Sequence, residues 1–98
     1  MLFNDNQIEQ VSRAMKAMSH PLRLKIIAVL IDREASAQDI VEKVGTSQSN
    51  ISQHLAVMRD QGILRARKGI NRLYYRVGDV RTLDMLRMMR EVCCGFGD

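Results

Sequence analysis

The stretch 45–77, GTSQSNISQHLAVMRDQGILRARKGINRLYYRV, constrains this chain more than any other. Thr46-Ser47 is a helix start signal and Gly62 a stop signal. Between them Ile51, Leu55 and Met58 recur at helical spacing. Beyond Gly62, two short alternating runs, 63–68 and 72–77, predict a hairpin around the basic turn Lys68-Gly69-Ile70-Asn71-Arg72. Upstream, Ser36-Ala37-Gln38-Asp39 opens a short helix with a cap-like pattern, and Gly45 ends it. Two helices joined by a Gly-containing turn make a helix-turn-helix. A helix with a polar outer face, followed by a cationic hairpin, is suited to reading a DNA groove and gripping the backbone beside it.

At about 100° per residue, Ile51, Leu55 and Met58 gather on the core side of the second helix, and Gln48, Ser49, Ser52, Gln53 and Arg59 on the other. Gln can bond two edges of adenine, and Ser can serve bases or phosphates. Ser47 stands at the helix N-terminus, whose free N–H groups suit a phosphate. His54 falls beside the core edge, so a packed histidine touching the backbone and a base contact are both open. His20, before Pro21, reads as a cap or a satisfied polar group. The hairpin carries Arg65, Arg67, Lys68, Arg72 and Arg76 with no acid between Gln61 and Val77. Arg67, Lys68 and Arg72 join the candidate DNA contacts, the last two at phosphates or the minor groove. Leu64, Ala66, Leu73, Tyr75 and Val77 supply the inward face of the hairpin.

The rest of the chain reads as support. Asn4 or Asp5 caps a first helix running to about Met18, with Ile8, Val11, Ala14, Met15 and Met18 at helical spacing. Pro21 opens a second, to about Ile31, apolar on most sides and so the central core helix. A final helix spans roughly Val80 to Cys94, with Leu83, Leu86, Met89 and Val92 or Cys93 along one stripe and Met85 and Met88 on a second apolar face. A chain of 98 residues is one domain and buries its own core only marginally. These apolar faces therefore predict a second copy, closed by the first and last helices. The net charge of +4 favours a polyanion. No apolar run is long enough for a membrane, and MLFNDNQIEQ lacks the features of a signal peptide. A cytoplasmic location is expected, where Cys93 and Cys94 form no structural disulfide. No nucleophile-base-acid set and no phosphate loop is present, so neither an enzyme nor a required cofactor is expected.

AMSHPLRLKII, TSQSNISQHLAVMRDQGIL and RKGINRLYYRV together resemble the ArsR/SmtB family of metal- and redox-responsive bacterial repressors, over nearly the whole chain. The resemblance implies a mainly α fold with a small β-hairpin. This is a winged helix-turn-helix of four helices, two strands and a fifth helix. It also implies a homodimer paired through the first and last helices, a double-stranded operator of two-fold symmetry, and repression relieved by an inducer. Members that bind cadmium, lead or arsenic on the third helix use cysteines there, whereas residues 34–39 here contain none. The zinc and cobalt set on the last helix matches only at Asp79, with Arg81, Val92 and Gly95 at its other positions. Cys93-Cys94 matches a pair in some arsenite-responsive members, but Gly95-Phe96-Gly97-Asp98 lacks their third cysteine. Sulfur- and redox-sensing members pair a cysteine matching Cys94 with one on the second helix, where this chain has Ala28.

Adjacent cysteines on a helix point about 100° apart and do not readily close a disulfide. Both can turn toward one soft ion if the helix end frays, and thiolates favour thiophilic centres. Trivalent arsenic held by Cys93 and Cys94, with a third sulfur from the other subunit or a small thiol, is the leading expectation. Reversible oxidation or persulfidation of the pair, and simple packing in the dimer interface, stay open beside it.

Overall fold

A computed structural model describes residues 2–95. The chain runs α1 (Asp5–Met18), α2 (Pro21–Val29), β1 (Ala35–Ser36), α3 (Ala37–Val44), α4 (Gln48–Asp60), β2 (Leu64–Lys68), β3 (Leu73–Val77) and α5 (Arg81–Cys94). Most of these boundaries have a local chemical cause. Asn4 caps α1 by accepting from the Gln7 amide at 2.8 Å, while the Gln7 side chain accepts from the Asn4 amide at 3.1 Å. Pro21 occupies the first turn of α2, and His20 caps that helix through Nδ1, which accepts from the Leu22 amide at 3.0 Å. Ser36 and Asp39 form the reciprocal box that opens α3. Gly45 ends α3 in the left-handed region, at φ 80°, which an L side chain adopts only at a cost. The α3–α4 turn is then residues 45–47, and Ser47 caps α4.

Two features differ from the sequence reading. α2 stops at Val29 rather than near Ile31, because Leu30 leaves helical geometry and Asp32 takes a positive φ of 59°. The hairpin also gains a third strand. Ala35 pairs with Tyr75 and Ser36 with Tyr74, so the sheet order is β1-β3-β2, antiparallel throughout. Two residues are too few to show strand periodicity. The β2–β3 ladder pairs Leu64 with Val77 through Lys68 with Leu73.

The core lies where α2, α3 and α4 meet the base of the hairpin. Ile26, Ile27, Leu30, Ile40, Ile51, Leu55, Met58 and Leu64 are almost fully buried, each such burial contributing about 1.5–3 kcal/mol. Met18 closes it from α1 and Leu83 from α5. Leu83, expected in a dimer contact, is thus used by the subunit's own core, and Leu86 is half-buried against it. The uncovered apolar residues of α5 are Met85, Met88, Met89 and Val92, and those of α1 are Ile8, Val11 and Met15.

Candidate nucleic-acid interface

α4 presents Gln48, Ser49, Ser52, Gln53 and Arg59 to solvent while Ile51, Leu55 and Met58 anchor it from behind. The helix therefore projects a polar face from a fixed base. Ser47 is committed to its own helix, its hydroxyl accepting from the Asn50 amide at 3.2 Å. Asn50 Nδ2 donates to the Thr46 hydroxyl at 3.2 Å, which stiffens the turn leading into α4.

His54 takes the packed alternative. Its Nδ1 accepts from Arg23 Nε at 2.9 Å, and its ring lies 4.6 Å from that of His20. Burial first, then the charges of His20 and Arg23, hold its pKa below the ordinary imidazole value. With Nδ1 accepting, the neutral ring carries its proton on Nε2. Arg23 also donates to the Ala17 carbonyl at 3.1 Å, so one guanidinium joins α1, α2 and α4.

The wing divides its cations. Arg67 is gripped by Glu34, with Nε donating to both carboxylate oxygens at 2.9 and 2.8 Å, and its guanidinium lies 4.9 Å from the Tyr74 ring centre. The hydrogen bond from Arg67 pulls the Glu34 carboxyl below its usual range. The hairpin itself holds no acid, but Glu34 arrives from the loop before β1. Arg67 therefore braces the wing to that loop. Lys68 and Arg72 are exposed at the two ends of the turn and form no ion pair among the described residues. The turn is closed by the Gly69 amide donating to the Arg72 carbonyl at 2.8 Å, with Asn71 at φ 65°. A Cβ at Gly69 would run into the Tyr74 ring, so any larger residue there would have to displace that ring. Arg65 and Arg76 face one another across the ladder, a like-charge pairing that nearby anions relieve.

A cleft of about 330 Å³ connects wing and helix, with Gln48 on one wall, Asn71 and Arg72 on another, and Gln38 of α3 beside them. Gln48 and Arg72 lie on separate elements of the sequence, and nothing local singles out Gln38. An exposed Gln near a helix start carries no local signal, so only its place in the cleft marks it.

Far from this face, Cys93 and Cys94 are exposed and free at the end of α5. α5 stays helical through Cys94, yet both cysteines line one groove of about 480 Å³ between α2 and α5. Ala28, which stands where the redox-sensing members have their second cysteine, lines the same groove. Asp79, the single match to the zinc set, is bound by Arg81 at 2.7 Å, whose hydrogen bonds pull its pKa down to about 2. Among the described residues no group of three His, Cys, Asp or Glu could hold a metal ion. The stretch after the cysteines, where a third cysteine is missing, runs into residues 96–98, outside the described residues.

A helix-turn-helix braced by three helices and followed by a basic hairpin is a winged-helix DNA-binding domain. The family model described as bacterial regulatory protein, arsR family, matches residues 20–66. The HTH-type transcriptional regulator YgaV of Escherichia coli is 34% identical over 87 residues, covering 88% of both chains. A probable mercury resistance operon repressor of Streptomyces lividans is 33% identical over 82 residues, covering 84% of this chain and 66% of that one. HlyU of Vibrio cholerae, named a transcriptional activator, has a solved structure that superposes with a TM-score of 0.82 at 27% identity, covering 93% of this chain and 99% of its own. The chain belongs to the ArsR family and is a DNA-binding transcriptional regulator, not an enzyme. No helix among the described residues is long and apolar enough to cross a membrane.

Proposed function

We propose that residues 1–98 act as one winged-helix domain, as a cytoplasmic homodimer that represses transcription from a two-fold symmetric operator and is released by arsenite or a related thiophile at Cys93 and Cys94. The carrying observation is that both thiols are exposed and line one groove between α2 and α5. α5 also presents the uncovered Met85, Met88 and Val92, the face that a second copy would cover. A ligand at the end of this helix would then bear on the angle between two reading heads. Only a ligand that binds the DNA-free arrangement more tightly releases the operator, and a coupling of about 1–3 kcal/mol is enough for a switch. The Streptomyces relative, named for mercury resistance, supports a thiophilic inducer. Gln48, Ser49, Ser52 and Gln53 read bases, helped by Arg59, while Lys68 and Arg72 hold phosphates.

The test is titration of an operator, selected by the protein from random duplexes, in the presence of arsenite. Arsenite should release the wild type and leave a Cys93→Ser, Cys94→Ser double variant bound. A double variant that responds like the wild type removes the pair as sensor. Release by persulfide or peroxide but not by arsenite replaces metalloid sensing with sulfur redox chemistry. Rising transcription on operator binding would replace repression with activation, the role in HlyU's name.

A further inference from the structure

We propose that Met89, Cys93 and Cys94 form a three-sulfur site for monovalent copper. Cys93 Sγ lies 3.6 Å from Met89 Sδ, one helical turn away. Both residues and Cys94 line the α2–α5 groove, whose other walls include Leu24, Ile27, Ile31 and Leu86 with two arginines. Two thiolates and a thioether, with no imidazole or carboxylate among the described residues lining the groove, are a soft donor set. Such sets select Cu(I) over cations that want nitrogen or oxygen.

The charges agree. Binding releases two protons, as Cu⁺ and two thiols give a bis-thiolate complex of charge −1, while the Met89 thioether adds a bond and no charge. Arg87 and Arg90 line the same groove. Arg87 is paired with Asp84 at 3.0 Å, whereas Arg90 forms no ion pair among the described residues and is free to balance the complex. Trivalent arsenic makes the opposite demand. It takes up thiolate sulfur, and a neutral thioether is a poor substitute. Met89 therefore separates the two ligands, although both use the cysteine pair. Any effect of copper on DNA rests on the sensor reading, whereas copper binding does not.

The test is anaerobic titration of the full chain with Cu(I) against a colorimetric chelator, with X-ray absorption of the loaded protein. The wild type should bind one Cu(I) per chain in a three-sulfur shell. Met89→Leu should lower the affinity by at least about tenfold and leave a two-sulfur shell, with its arsenite response intact. Met85→Leu, at a position outside the groove, should change neither. Unchanged copper affinity and shell in Met89→Leu overturn the site, as does wild type that takes up no copper. If copper binds through three sulfurs and neither copper nor arsenite moves DNA, the site stands and the sensor reading fails. If arsenite releases DNA and copper does not bind, the sensor reading stands and the copper site fails.

Discussion

Arg23 Nε donates to His54 Nδ1 across 2.9 Å, and this bond ties α4 to α2. The same guanidinium holds the Ala17 carbonyl at the end of α1. A side chain of α4 is thereby used to set the angle of that helix. The bond needs a neutral imidazole, since a protonated His54 has no lone pair at Nδ1.

A pH dependence follows. The folded-state pKa of His54 lies below the ordinary 6.5, so the unfolded chain binds more protons in the window between the two values. Stability is then full above about pH 6.5 and is lost as pH falls through the folded value. Urea denaturation from about pH 8 to pH 5 should show this decline in the wild type. In His54→Gln the amide oxygen still accepts from Arg23 but does not titrate, so this part of the slope should vanish. Equal slopes in the two proteins would assign the acid sensitivity to other groups.

On the reading face, Gln48→Ala or Ser52→Ala should cost about 1–3 kcal/mol of operator affinity with little change on random DNA. Both side chains are exposed on a helix whose other side is buried, so neither change should disturb the fold. Equal losses on operator and random duplexes would show that these residues do not read bases.

The wing cations should separate by salt dependence. Lys68→Ala and Arg72→Ala should each reduce the slope of log K against log salt by about one. Arg67→Ala should change the slope less, because Glu34 already neutralises that guanidinium. Its effect should appear instead as a looser hairpin, read by faster amide exchange in β2 and β3. A salt slope that falls as far for Arg67→Ala as for Arg72→Ala would mean that the Glu34 pair opens on DNA.

For assembly, the informative position lies on the uncovered face of α5 rather than on the side that packs inward. Leu86 packs on the subunit's own core, so Leu86→Asp should unfold the chain and says nothing of pairing. Met88 is 59% exposed on the uncovered face. Met88→Asp should keep its helical circular dichroism and raise the dimer dissociation constant by at least about tenfold, ~1.4 kcal/mol. Sedimentation at micromolar protein reads the result, and a folded Met88→Asp dimer of wild-type affinity would move the interface off this face.

Helix starts, the helix stops other than that of α2, the polar face of α4, the basic turn and the alternating hairpin were legible in the residues. Each rests on a signal that repeats within one element or sits at its end: Asn4 and Ser36 as caps, Gly45 as a stop, Ile51-Leu55-Met58 as a stripe. What escaped lies between elements. Ala35–Ser36 becomes a strand only because β3 is there to pair with it. Glu34 neutralises Arg67 from 33 residues away, and Arg23 holds His54 from 31 residues away. Residue types alone admitted sensing, oxidation or packing for Cys93 and Cys94. That Met89, Cys93 and Cys94 line one groove was settled by where α5 lies beside α2. Local periodicity is written into the order of side chains, whereas a contact between distant segments exists only once the core has fixed where each backbone passes.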